Sequence, residues 1–543
     1  MMKTYRFKTF LCILILFFAG ACKDFLDVNV DPNNPTEAPL GQLLTNAQVT
    51  VANTIGLSTS GFSSHLSVFI HQTTRRAEPD SYGTSGDDFM IGQAWNNLYA
   101  GALQDLELII ENGTESGDLQ YVGIAQIMKA YTYSVMVDVW GDIPFSEANQ
   151  GPDLRFPIFD NDEAIYQKIF SIIDAGIANL DNEDAENLND PGAADLIYQG
   201  DIDLWRKAAK TLKLKLYNQI RLVADVGDEV NALLAEGDLI SERDESFELK
   251  YGTSNNPDNR HPAYIVEYPS PQKTYYISPY FYEIMNGVSN ENPIFNGIED
   301  PRTPYYFFNQ LADGAAAENP TAYRVGDFVS IKFASNDPNR DQAMGSSQTV
   351  LGLYPIGGRY DDGEGGAVTS IGDISGGGDA PQSLISYYHR LYIEAELALV
   401  GVADGDARDI LVDAIKASFR QVNYVAENTT NTNTVPVIPT ATVDNYVDAV
   451  MLKYDAASKE GRLEIILTQK WIASFGNSVE PYNDYRRTGY PRIFNPNTDN
   501  DPLTVLSRDF PVALPYRTLD LTLNPNAPDQ KNITTNKVFW DNQ

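Results

Sequence analysis

Cysteine is nearly absent: the 543 residues hold two, Cys12 and Cys22. Cys12 falls inside an apolar N-terminal run of the kind removed on export. The mature chain then keeps one thiol, with no disulfide, no cysteine metal site and no thiol nucleophile. A chain of this length must rest on its hydrophobic core instead, and it is long enough to bury one. Basic charge is also short: 39 Lys plus Arg face 74 Asp plus Glu, a net charge of −35. Such a field excludes nucleic acid as a partner and argues against sulfated or uronic-acid polymers. Tryptophan is scarce at 5, against 31 Tyr and 24 Phe. Catalytic signatures are missing too. Gly61-Phe62-Ser63-Ser64-His65 and Gly83-Thr84-Ser85-Gly86 both miss G-x-S-x-G, and there is no H-E-x-x-H, G-x-G-x-x-G or P-loop. The histidines, at 65, 71, 261 and 389, are scattered without ligand spacing, so each is expected to be structural or at the surface.

What is present begins at the N-terminus. Lys3, Arg6 and Lys8 precede an apolar run from Phe10 to Phe18, and Ala19-Gly20-Ala21 then leads into Cys22. This is a secretory signal, far short of the ~20 residues of a spanning helix. The cysteine directly after small residues makes it resemble a bacterial lipoprotein signal, with Cys22 lipidated. The expected organisation is a signal peptide over 1–21, an acylated cysteine with an acidic tether over 22–40, and a single domain over 41–543. Nothing resembling a linker divides that domain.

The body reads as helical. Trp95, Leu98, Tyr99, Ala102, Leu106, Ile109 and Ile110 recur at three and four, giving one apolar face. Helices are also predicted over Gly123–Trp140 (with an apolar stripe), Ala164–Leu180, Leu204–Val223, Leu384–Val402 and Ala407–Ala426. One or two more fall within Asp444–Phe475. Between about 240 and 380 the texture turns to Gly, Asn, Pro and Tyr, and inserts of that length are usually functional. The last fifty residues or so are irregular and expected to wrap the helical body.

Several blocks carry a family likeness: CKDFLD after the small residues, GIAQIMKAYTYSVMVDVWGDIPFSEA, DLIYQGDIDLWRKAAKTLKLKLYNQIRL, LISYYHRLYIEAELAL, QKWIASFGNSVEPYNDYRRTGYPRI and FPVALPYRTLDLTLNPN. In this order they resemble the SusD/RagB-like nutrient-binding outer-membrane lipoproteins of Bacteroidetes, in the branch with the RRTGYP ending. The resemblance implies an all-α fold, with tetratricopeptide-like helix pairs forming a superhelical scaffold and a long loop-rich, ligand-binding insert. It implies a lipid anchor at Cys22 on the exterior face of the outer membrane. It also implies a SusC-like TonB-dependent transporter as partner, a glycan as ligand, no catalysis and no cofactor.

Within that frame the aromatic residues are the candidates for ligand contact. Tyr275, Tyr276, Tyr280, Phe281 and Tyr282 lie close together, and Tyr305, Tyr306, Phe307 and Phe308 follow. Sugar rings stack apolar C–H faces on aromatic faces, while their hydroxyls need polar partners such as Asn286, Arg302, Asn309 and Gln310. Two or three of the nine rings are expected to touch ligand, with the others in the core. A second patch is His71, Gln72, Arg75, Arg76 and Tyr82, a position that lines the site in relatives. Trp95 follows, with a core place as its competing reading. Arg359 and Tyr360 form a third.

Asp138, Asp142 and Glu147 are read as capping and turn residues rather than as a catalytic set. Asp361, Asp362 and Glu364 suit a structural Ca²⁺ in residue type but lack EF-hand spacing. Arg486, Arg487, Glu480 and Asp484 are expected to lock the C-terminal segment to the body. The function expected is capture of a neutral oligo- or polysaccharide, a β-glucan such as laminarin suiting so acidic a surface, for delivery to the transporter. Peptide capture is the alternative.

Overall fold

The computed structural model describes residues 38–542, except 77–81, 152–153, 271–272, 317–319, 341, 343–344, 370–375, 432 and 494–507. The signal segment, Cys22 and the tether up to residue 37 lie outside the described residues. The helices of the body are α1 (Leu40–Ile55), α2 (Ser63–Phe69), α3 (Phe89–Asn96), α4 (Gln104–Ser116), α5 (Leu119–Trp140), α6 (Asp162–Leu180), α7 (Ile202–Ile220) and α8 (Gly227–Glu236). After α9 (Pro279–Met285) come α10 (Tyr387–Val400), α11 (Ala407–Asn428), α12 (Thr440–Ala456), α13 (Lys459–Ala473), α14 (Val479–Thr488) and α15 (Thr518–Leu523). Shorter helical turns are named by their residues.

Side-chain oxygens start many of these helices by accepting the first free N–H groups: Asn161 for α6, Asp201 for α7, Asp406 for α11 and Ser458 for α13. Three departures from the sequence reading have physical causes. A π-helical stretch, Asn97–Leu103, joins α3 to α4, and Leu98, Ala102 and Leu103 are buried along it. Helix α5 has no single apolar stripe, because 18 of its 22 residues are buried and helices surround it. Leu384 and Ile385, the start of an expected helix, instead end a strand over Gln382–Ile385, and Ser386 with His389 forms a capping box that opens α10.

Consecutive helices pack as pairs, α4 on α5, α5 on α6, α10 on α11 and α12 on α13, which makes the fold mostly helical and tetratricopeptide-like. Among the described residues, eight short strands form four separate two-stranded antiparallel ladders: β1 (Thr73–Arg75) with β3 (Tyr275–Ile277), β2 (Phe247–Leu249) with β8 (Gln382–Ile385), β4 (Phe307–Phe308) with β7 (Val350–Leu351), and β5 (Tyr323–Val325) with β6 (Phe328–Ser330). These ladders organise the insert and tie it to the body. The C-terminal segment wraps α5 as expected: Leu514 N–H donates to Val139 O at 2.7 Å, the Trp140 indole to Pro515 O at 3.1 Å, and the Trp540 indole to Asp138 at 3.0 Å. Among the described residues no helix is long and apolar enough to cross a membrane.

Candidate functional site

The β1–β3 ladder brings the two predicted patches together. Thr73 pairs with Ile277 and Arg75 with Tyr275, so the arginines near residue 75 border the tyrosines of the insert. Beneath them lies an aromatic cluster. The His71 ring is 4.1 Å from Phe333 and 5.9 Å from Tyr82, and Tyr82 is 4.9 Å from Phe333 and 5.6 Å from Phe510. His71 Nε2 and the Tyr82 hydroxyl share a hydrogen bond at 2.8 Å. Burial lowers the His71 pKa to about 3, so its imidazole is neutral there. The Arg340 guanidinium donates to the backbone carbonyls of both Arg75 and Arg76 and sets the path of this edge. Arg75, Arg76 and Lys332 are half-buried at the rim, and Arg75 Nη2 is buried without a partner among the described residues.

Most predicted contact residues are packing residues instead. Tyr275, Tyr276, Tyr280, Phe281, Tyr305, Tyr306, Phe307 and Phe308 are all buried, and the ninth ring, Tyr282, is half-buried with its face on Phe328 at 3.8 Å. A ring enclosed on both faces has none to offer a sugar. The polar candidates are committed as well. Arg302 is wholly buried, with both ends on Asp300 at 2.9 and 2.6 Å and a further bond to Ser418 at 2.8 Å. Asn309 donates to Asp327 and Asp361, each at 2.8 Å, and accepts from Thr349. Gln310 bridges Gly345 O, Gln348 O and Val368 N–H. Asn286 donates back to Tyr282 O one turn earlier. Tyr82 is buried and forms the floor of the face rather than its surface. Arg359 lies over the Phe308 ring at 4.1 Å, and Tyr360 packs on Tyr305 at 4.8 Å.

Trp95 belongs to neither cluster. It is buried against Trp140 at 4.9 Å, and it lines a separate cavity of 440 Å³ with Tyr99, Phe159 and Asp520.

The acidic residues also find places. Asp142 accepts the Asp162 N–H at the start of α6, as a cap does, and Glu147 accepts the Ile158 N–H. Asp138 is not a cap. It is a buried hub taking bonds from Tyr166, Asn483 and Trp540, with Lys215 at 3.8 Å. Asp361 turns inward to Asn309 and Gly363, and among the described residues no group of three or more His, Cys, Asp or Glu is placed to hold a metal ion. All four histidines are buried. Lys332, Arg340, Phe333 and Phe510 are the members of the face that sequence reasoning missed. Only the apolar alternation Val329, Ile331, Phe333 offered a signal for one of them, and it marks a strand, not a site.

A SusD-like family model, described as starch-binding and associating with the outer membrane, matches residues 32–511. Solved structures with the same fold include a chitin-binding protein, 20% identical over 93% of this chain and 100% of that one, with a TM-score of 0.67. A SusD/RagB family protein from Bacteroides thetaiotaomicron is 21% identical over 93% of this chain and 99% of that one, with a TM-score of 0.66. A SusD homologue from Bacteroides fragilis is 20% identical over 89% and 94%, with a TM-score of 0.63. No curated protein matches the chain.

Proposed function

We propose, for a chain that belongs to the SusD-like family of starch-binding proteins associated with the outer membrane, capture of a neutral oligosaccharide at the cell surface and its handover to a SusC-like TonB-dependent transporter. Family membership itself makes this a glycan-binding, non-enzymatic protein of the outer membrane. The observation that carries the reading is the family match across residues 32–511.

Charge supports an uncharged ligand, since a net −35 disfavours polyanionic glycans at long range. The chitin-binding relative fits the same class, because chitin is an uncharged polysaccharide. A β-glucan such as laminarin suits this surface equally. The loop face supplies the mouth: half-buried Arg75, Arg76 and Lys332 carry donors for sugar hydroxyls above a rigid aromatic floor. The rings of that floor act by holding the rim in place rather than by stacking on ligand. Lipid on Cys22 would keep the domain at the membrane, above a transporter.

Calorimetry with laminarin, starch and chitin oligosaccharides, and with a mixed peptide pool, tests this reading. Saturable binding of a glycan is expected. Binding of peptides with no glycan bound would overturn it. Co-purification of a large β-barrel protein, lost in Cys22→Ala, is the expected result for the handover.

A further inference from the structure

We infer that the cavity beside Trp95 is a second carbohydrate site, separate from the loop face and shaped for a short segment of an uncharged glycan. Its 440 Å³ falls within the ~300–1,000 Å³ of small-ligand sites. Three segments distant in sequence build it: residues 95–104 around the π-helical turn after α3, residues 144–159 of the loop between α5 and α6, and α15 with the residue that follows it.

The floor is aromatic: Trp95 is buried and backs it, and the rings open to a ligand are the half-buried Tyr99 and Phe159 and the exposed Phe156. Trp95 and Phe159 lie nearly parallel, 6.2 Å between centroids and 23° between planes, and Tyr99 meets Trp95 at 4.9 Å. Phe156 stands at the mouth, 50% exposed. Leaving that much of a phenylalanine in water forgoes hydrophobic stabilisation. The backbone nevertheless holds it there. Asn526 donates to Phe156 O at 2.5 Å, Asn524 to Pro157 O at 2.7 Å, and the Ile158 N–H to Glu147 at 3.0 Å.

Polar groups border this floor. The Asp520 carboxylate pairs with Arg517 at 3.3 Å. Asn149 sits in the left-handed region, φ 58°, where few side chains other than Asn settle. Its Nδ2 donates to Tyr99 O at 2.8 Å and to Gln104 at 3.1 Å, and its Oδ1 is buried without a partner among the described residues. A well-packed core rarely keeps an unpartnered carbonyl, whereas a ligand site does. A pyranose ring offers one apolar C–H face and a rim of hydroxyls, which these rings and the surrounding carboxylate and amides match.

The ligand class rests on the glycan reading above; the site rests on its own geometry. Calorimetric titration of the full mature chain with maltoheptaose and with laminarihexaose reads the number of sites. Two binding events per chain are expected for the sugar that binds. Phe156→Ala, a change at an exposed residue, should weaken one event by about tenfold and leave the other unchanged. Asp520→Asn should weaken the same event, with an unaltered circular dichroism spectrum. One event per chain, unmoved by either substitution, overturns the second site and leaves glycan capture standing. No event with either sugar also overturns it, and glycan capture then stands or falls on the wider panel of glycans and peptides.

Discussion

Glu396 is wholly buried on α10 and still charged. Burial, the largest influence, pushes its carboxyl up, but Arg487 and Arg221 overcome it and hold the group well below the ordinary range. Arg487 grips both oxygens, Arg221 adds a bond at 2.6 Å and Asn218 one at 3.0 Å. Removing one member of such a network strands the others in low dielectric. Glu396→Gln is therefore expected to cost about 3–5 kcal/mol, seen as a fall in the calorimetric midpoint. A Glu396→Met/Arg487→Met pair should cost less than the sum of its single changes. Glu480 belongs to the same core. Burial raises it, Lys215 and Lys470 lower it more, and it comes to about 2 against an ordinary 4.5. Because the folded state prefers the carboxylate, that stability is complete above pH 4.5 and is lost as pH falls towards 2. Lys470→Met should move the acid-unfolding midpoint, followed by tryptophan fluorescence, to higher pH. The RRTGYP block was legible as structural, but its partners were not. Arg486 does hold the C-terminal segment, through Val512 O at 2.9 Å, whereas Arg487 holds α10. Charges this deep leave no mark on hydrophobic periodicity, so a sequence does not show which acid each base will meet.

Among the elements, α5 and α6 cross at Gly123 and Gly176. A Cβ on Gly123 would lie 2.7 Å from Leu180 Cγ and 2.8 Å from Gly176 O. Helix propensity favours Ala over Gly by about 1 kcal/mol, yet this contact is against backbone, which cannot give way cheaply. Gly123→Ala should therefore destabilise, by about 1–3 kcal/mol, and a raised thermal midpoint would refute the close-crossing account. The insert has a pH dependence of the opposite sign to the core. Burial, reinforced by Asp327 and Asp362, raises Asp361 to about 6 from an ordinary 3.8, although Gly363 and Asn309 N–H groups oppose it. A raised carboxyl favours the folded state while protonated, so this contribution is present below pH 3.8 and is lost as pH rises through 6. Amide exchange around residues 307–311 and 359–366, corrected for its intrinsic pH dependence, should show protection declining from pH 4 to 6.5, and Asp361→Asn should flatten the trend. Long helices were legible because the three-four spacing survives whatever packs on it. The strand at 382–385 was not, since four residues beside a helix show no period of their own and pairing with β2 decides their form.

For the molecule as a whole, the C-terminal segment closes the helical body. Truncation before residue 537 would remove the Trp540 indole from Asp138 and leave that buried carboxylate short of a donor. We expect this to lower the midpoint of the entire domain in one transition, not to release a local tail. Two transitions in calorimetry would show the wrap to be independent. The sequence by itself determined the helical class, the strong net negative charge, the scarcity of cysteine and the family. All of these are sums or ordered patterns along a chain and survive without coordinates. Which aromatic rings are buried was decided only by tertiary structure. Tyr275 and Tyr305 look alike in sequence to any ligand-stacking tyrosine, yet one lies on a ladder against β1 and the other donates to Pro436 O at 2.6 Å. Trp95 has the spacing of a core residue and is one, yet the C-terminal helix arrives 425 residues later, by Asp520, to leave a cavity beside it. Burial is a property of contacts between distant segments, and a contact belongs to two positions at once. No single stretch of sequence holds it.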